Sequence, residues 1–303
     1  MILAPVNTRI YSSANDLKGF SIKNCPSMPS PSAVLMCPPD HYDVLEVRNP
    51  FMAAGLGKVD KPSARQQWDF LRATFERLGR PVKTLPPVEG LEDMVFAANQ
   101  TLPGLTRHMD KICLLGQMRH PGRRGEVGHF EKWFQGEGYR IFKLKDPSAT
   151  FEGMGDCLWH PGKRMLWGGH GFRTDPEVYE QIAEIFEAPV IQLKLVNERF
   201  YHLATCFCPL TQEAVLIYPP AFSPESLELI LRLFPIVLAA DEREASDRLC
   251  CNATLVDSSL VMQKGCATAF RHISALGLDV HEVETAEFIK SGSSVSNLKM
   301  NLF

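Results

Sequence analysis

Helix-forming stretches recur along this chain at nearly even intervals, and between consecutive ones stand two or three strand-like runs where a doubly wound sheet needs only one. Helices are expected to open near Ser63, Glu126, Asp175, Pro224 and Cys266, at spacings of 63, 49, 49 and 42 residues. The runs between them read VKTL, MVFAAN and KICLLG; then YRIFKL and MLWG; then VIQLKL, YHLATCF and AVLIY; then IVLAA, ATLV and LVMQK. Even spacing of like units marks an internal repeat. More than one strand per helix favours a mixed α/β architecture of ββαβ units over a Rossmann sheet. The helices themselves are one-faced: Trp68, Leu71, Phe75 and Leu78 share a side of the first, which stops at Gly79 before Pro81, and Val178, Ile182, Ile185 and Phe186 share a side of the third, which stops before Pro189.

A chain of 303 residues, 45% hydrophobic and 22% charged, has the apolar material for a packed core. A net charge of −3 without a long Lys/Arg block argues against a nucleic-acid or anionic-membrane footprint. Apolar stretches such as Ala214 to Tyr218 and Leu227 to Leu231 are far too short to span a bilayer. The nine cysteines, an odd number, include Cys113, Cys206 and Cys208 in apolar runs and form no C-x-x-C pair, so reduced, buried thiols are expected and a structural zinc site is not. No G-x-G-x-x-G follows the first strand; AAGLGK and WGGHGFR read as turns. Residues 1–32, rich in Ser, Asn and Pro, with Arg9, Lys18 and Lys23 against Asp16, are expected to form a flexible segment ahead of a single domain over 33–303. A cytoplasmic protein is the first expectation, and a mitochondrial leader is the alternative reading of that segment.

Four segments place polar groups where core packing does not ask for them. FEGMGDCL holds Glu152 and Asp156 around two glycines between apolar anchors, a solvated turn or a seat for a cationic ligand. VFAANQ ends a strand-like run at Asn99, with Asp93 just upstream. FYHLATCFCPL sets His202 in an apolar, aromatic strand, as a hydrogen-bonded core residue or a catalyst. The last, EFIKSGSSVSNLKMNLF, is a glycine- and serine-rich turn running into a final strand.

Together with MCPPDHYDV and the following Asn49-Pro50, these motifs resemble the guanidine-modifying, or pentein, superfamily of arginine deiminases, dimethylarginine dimethylaminohydrolases, amidinotransferases and arginine dihydrolases, from about Ala33 to the C-terminus. The resemblance implies a five-bladed α/β propeller of ββαβ units about a pseudo-fivefold axis. It also implies a mechanism in which a thiolate attacks a guanidinium carbon, acids hold the guanidinium nitrogens, and a histidine moves protons. On that match Glu152 is the guanidinium-holding acid, His202 the general acid and base, and Asp156 a second acid orienting the site. Asn99, Asn49 and Asp93 join the substrate contacts, while Arg123 and Arg173 are the arginines that pair with a substrate α-carboxylate. The implied partner is a small arginine-like molecule, and no cofactor or metal is implied.

The pattern breaks at its reactive group. Laying KSGSSVSN on the family's last motif puts Asn297 where the resemblance places the nucleophilic cysteine, and the nearest cysteine in sequence is Cys266. The family's H-L-D-T reads His202-Leu203-Ala204-Thr205, so an aspartate is missing as well. A carboxamide does not attack a guanidinium. A non-catalytic binding or regulatory member is therefore expected. The alternatives are a hydrolase using a displaced thiol, Cys157 or Cys266, or one using water activated by His202 and Glu152.

Overall fold

The structure, a computed structural model, describes residues 7–303. Its strands are β1 (Ile10–Tyr11), β2 (Ala33–Met36), β3 (Val82–Thr84), β4 (Thr101–Leu105), β5 (Lys111–Leu115), β6 (Arg140–Phe142), β7 (Cys157–Trp159) and β8 (Leu166–His170). They continue with β9 (Val190–Lys194), β10 (Phe207–Pro209), β11 (Ala214–Ile217), β12 (Ile236–Ala239), β13 (Thr254–Val256), β14 (Ser259–Gln263), β15 (Asp279–Val283) and β16 (Met300–Leu302). They form five sheets built to one plan. A first strand pairs antiparallel with a second, a helix follows, and a third strand returns parallel to the second: β4-β5-β6, β7-β8-β9, β10-β11-β12 and β13-β14-β15. The fifth sheet takes β16 from the C-terminal end as first strand beside β2 and β3, so the two ends of the repeat array are stitched together.

The helices open where the periodicity places them, at Lys61–Arg77, Arg124–Gly136, Val178–Phe186, Pro224–Leu233 and Ala267–Ser274. The first is capped by Asp60, whose side chain accepts from the Ser63 N–H, and buries Ala64, Trp68, Leu71 and Phe75. The fourth starts at Pro224 behind a Ser223 cap. Core clusters fill the space between neighbouring sheets; Trp167 of β8 stacks on Phe234 with ring centroids 5.0 Å apart. All nine cysteines are free and buried.

Three expectations change. MVFAAN and YHLATCF, read as strands, are short helical turns and loops, and the strands begin after them at Thr101 and Phe207. Their unbroken hydrophobicity comes from burial of a loop, which a strand-length apolar run imitates. Asn99 and His202 thus stand ahead of strands, not at the end of one or inside one. The TLPGL strand escaped notice because Pro103 and Gly104 argue against a strand. Here Gly104 is required: a Cβ on it would lie 2.7 Å from the Trp159 ring and 2.9 Å from Phe186.

The segment expected to be flexible is ordered over residues 7–32. β1 runs parallel to β9, Tyr11, Ile22, Cys25 and Met28 are buried, and the Met28 N–H donates to the Gly162 carbonyl at 3.1 Å. Its apolar residues are few and aperiodic, so composition hid them. Residues 1–6 of that segment lie outside the described residues. Among those described, no helix is long and apolar enough to cross a membrane.

Candidate active site

Each repeat unit sends a polar residue to the same place, the turn just before its first strand. Asn99 precedes β4, Glu152 and Asp156 precede β7, His202 precedes β10, Asn252 precedes β13 and Asn297 precedes β16. Residues at equivalent positions of a closed array converge, and the hydrogen bonds record the convergence.

His202 lies at the centre. Its Nδ1 is 3.1 Å from Asp156 Oδ2, its Nε2 is 3.2 Å from Glu152 Oε2, and Asn99 Nδ2 is 3.3 Å from the same Nε2. All four residues are buried. Thr174 Oγ1 and the Leu203 N–H donate to the two oxygens of Asp156 at 2.8 and 3.0 Å, fixing that carboxylate. The Arg119 N–H donates to Glu152 Oε1 at 3.1 Å, and Arg173 Nη1 donates to Oε2 at 3.2 Å. Burial by itself raises the Glu152 carboxyl, but the His202 hydrogen bond and the Arg173 and His202 charges hold it well below the usual carboxylate range. Burial pulls the imidazole down, yet Asp156 and Glu152 outweigh it and leave the ring a stronger base than a free histidine. The two carboxylates thus sandwich the imidazole, one at each ring nitrogen.

Two glycines make the sandwich possible. Gly153 sits at φ +52°, and a Cβ there would lie 2.5, 2.7 and 2.8 Å from the carbonyl oxygens of Thr101, Asn99 and Ala98. At Gly155 a Cβ would come within 2.4 Å of Asn99 Nδ2 and 3.0 Å of His202 Nδ1. Gly153→Ala is expected to cost about 3 kcal/mol or more, because backbone rather than a side-chain tip must move. A denaturant titration with an unshifted midpoint would contradict this packing.

Around the sandwich runs a ring of arginines already engaged by the protein. Arg123 forks onto Glu126 through Nε and Nη2 at 3.0 and 2.9 Å, and its Nη1 reaches Asn99 Oδ1 at 3.4 Å. Arg48 holds Asp93 at 2.6 Å and Glu92 at 2.8 Å. Arg173 lies 4.5 Å above the Tyr201 ring, and Asn49 Nδ2 donates to the Tyr201 hydroxyl at 3.2 Å. Asn49, Asp93, Asn99, Arg123, Arg173 and His202 line one small cavity of about 10 Å³, joined by Arg48, Tyr201, Ser291 and Ser293, which sequence reasoning did not single out. The adjacency of Arg48 to Asn49 is the only signal of it in the sequence.

Asn297 is fully buried beside this cluster, its carbonyl accepting from the Ala98 N–H at 3.2 Å. Its side chain bonds Asn252, not the imidazole: Asn252 Nδ2 donates to Asn297 Oδ1 at 2.5 Å and to the Ala204 carbonyl at 2.6 Å. The Oδ1 of Asn252 accepts from the Ser294 N–H at 2.8 Å, which fixes which end of its amide faces Asn297. Asn297 Nδ2 is left without a partner. Asn252 was legible by a comparison not made in the sequence reading: N-x-T precedes both β4 and β13, as Asn99-Gln100-Thr101 and Asn252-Ala253-Thr254. Among the described residues no thiol hydrogen-bonds the His202 ring; Cys206 Sγ donates to the backbone carbonyls of His202 and Leu203, at 3.8 and 3.6 Å. The Cys157 thiol is pushed far up by burial and by the Asp156 charge, and the Cys266 thiol by burial, so both stay protonated. No group of three or more His, Cys, Asp or Glu among the described residues is placed to hold a metal ion.

No protein-family model matches the chain. The chain is 35% identical over 270 residues to the bifunctional arginine dihydrolase/ornithine cyclodeaminase ArgZ of Synechocystis, an alignment covering 89% of this chain and 37% of that protein. It is 34% identical over 260 residues to the N(G),N(G)-dimethylarginine dimethylaminohydrolase of Mycobacterium tuberculosis, covering 86% of this chain and 82% of that one. Its fold superposes on the crystal structure of the product-bound N-terminal domain of ArgZ with a TM-score of 0.84 at 35% identity, covering 89% of this chain and 97% of that domain. The chain therefore spans about 37% of the length of the bifunctional relative.

Proposed function

Since this chain belongs to the family of the arginine dihydrolases and dimethylarginine dimethylaminohydrolases, we propose that it binds an arginine-like amino acid without turning it over. In this reading the five sheets are blades of a propeller about a pseudo-fivefold axis, residues 33–303 form one unit, and the cavity at the axis is the ligand site. Arg123 and Arg173 exchange part of their internal bonds for the ligand's α-carboxylate, Asn49, Asn99 and Asp93 contact its polar groups, and Glu152, Asp156 and His202 meet its side-chain head.

The observation that carries the reading is Asn297. In the motif resemblance read from the sequence it stands at the nucleophile's position, and its carboxamide is held by Asn252 with the Nδ2 end unpartnered. A guanidinium presents only N–H groups, which meet Nδ2 donor to donor. A ureido group brings a carbonyl oxygen that accepts from it. Leaving a buried donor unsatisfied costs about 1–3 kcal/mol, so citrulline is expected to bind roughly 10-fold or more tightly than arginine. The protonated state of the buried Cys157 and Cys266 thiols speaks against a displaced nucleophile.

Calorimetric titration with citrulline, arginine and asymmetric dimethylarginine tests the proposal, alongside an assay for citrulline and ornithine formation. One-to-one binding led by citrulline, with no product, is the expected result. Arginine binding more tightly than citrulline overturns the ureido preference, sustained product formation overturns the silence, and no binding by any of the three overturns the site.

A further inference from the structure

The candidate active site gathers ahead of the first strands; residues of four of those strands, β7, β10, β13 and β16, line a second and larger cavity, of about 140 Å³. Along β16 the alternation is explicit. Leu298, Met300 and Leu302 point into the core, while Lys299, Asn301 and Phe303 line the second cavity. Trp159 beyond the start of β7 and Phe207 of β10 complete its apolar wall.

Lys299 is 3% exposed, yet its ammonium has a single hydrogen bond, to Asn301 Oδ1 at 3.0 Å, and no carboxylate within ion-pair distance among the described residues. The other cation of the cavity, Arg80, 7% exposed, is already neutralised by Asp257 at 3.0 Å. One buried positive group therefore stands uncompensated against aromatic walls. Packing alone is served as well by Met at such a position, without the cost of desolvating a charge. We propose that this cavity is a second binding site, for a small organic monoanion whose carboxylate sits on Lys299 Nζ and whose apolar body lies against Trp159, Phe207 and Phe303. Burial, with the Arg80 charge adding to it, pulls the Lys299 amine down to about 8. The groups facing it are Cys208 on β10 and Arg80 before β3, with His160 after β7 and Asp257 after β13 across the same cavity.

Benzoate, its neutral isostere benzamide, and inorganic phosphate are the probes, read by calorimetry and by Trp159 fluorescence on the full chain. Benzoate is expected to bind at least 10-fold more tightly than benzamide, which lacks the charge, and than phosphate, which lacks the apolar body. Its affinity should fall as pH rises through about 8, where the free amine loses its proton. Lys299→Met should weaken benzoate at least 10-fold and leave the citrulline titration unchanged, a control that also reports intact folding. Equal affinities for benzoate and benzamide, phosphate binding as well as benzoate, unchanged binding by the variant, or no benzoate binding at about 10 mM overturns the proposal. The comparison of benzoate with benzamide needs no variant, so a misfolded Lys299→Met does not rescue the idea.

Discussion

Asn297→Cys is expected to make a weak guanidine hydrolase of a protein that, on the function proposed above, binds its ligand without turnover. In a covalent hydrolase the nucleophile is worth on the order of 10⁶ in turnover, so recovering a thousandth of that raises product formation about 10³-fold above the parent's background. The groups the step needs are close by: His202 as proton donor between Glu152 and Asp156, and Asn252 Nδ2, which now bonds the Asn297 carbonyl and would donate to a thiolate in its place. With the cationic guanidinium beside it the thiol gives its proton to solvent, the thiolate attacks the guanidinium carbon, and the C–N bond breaks as the imidazolium's proton goes to the leaving ammonia. A water that gives a proton back to His202 then adds to the S-linked carbon, and the C–S bond breaks to release citrulline and restore the thiolate. Ala204, where the family motif matched in the sequence has an aspartate, keeps the gain small. Citrulline release from arginine and an S-linked adduct seen by intact-mass spectrometry check the result. A variant that melts with the parent yet forms neither adduct nor product shows that the cleft around position 297 has drifted along with it.

What made Asn297 conspicuous was a pattern of residue types in order, not any propensity. The helices were legible for a physical reason: each has one buried face, and residues such as Trp68, Leu71 and Phe75 repeat at the helical period. The strands were legible where they alternate or end in turn residues, as at KICLLG and AVLIY. They were hidden where closure of the array demands a small residue, as at Gly104 under Trp159. The loops before β4 and β10 were misread because, unlike ordinary loops, they are buried, with their polar side chains satisfying one another. Glu152, Asp156 and His202 could be named from the sequence, since acids and histidine in apolar surroundings need partners. Arg48 and Asn252 could not be named one by one, because a surface arginine and a turn asparagine look the same in sequence. Only the repeat relation between Asn99 and Asn252 distinguishes the second.

His202→Gln tests the acid–imidazolium–acid sandwich as a source of stability. Removing the cation leaves two buried carboxylates with one charged partner, Arg173 on Glu152, and breaking a buried pair costs about 3–5 kcal/mol. The pH dependence fixes the sign of each contribution. Glu152, held below the usual carboxylate range, stabilises the fold above the unfolded carboxyl value near 4.3, and that contribution fades as pH falls toward its folded value. His202, raised above its ordinary value, contributes fully below the unfolded imidazole value near 6.5 and loses its contribution as pH rises through its folded value. The stability gap between parent and variant should therefore be widest near pH 5–6 and narrow as the solution turns alkaline. Urea unfolding at about pH 5.5, 7.5 and 9.5 measures it. A gap that does not change with pH means that the ring is buried neutral, with Asn99 donating to Nε2, and the proton needed to expel an amine is then missing as well as the nucleophile. In that case the addition to Cys in Asn297→Cys reverts before the amine leaves, and neither adduct nor product should accumulate, so the two variants read the same imidazole by independent measurements.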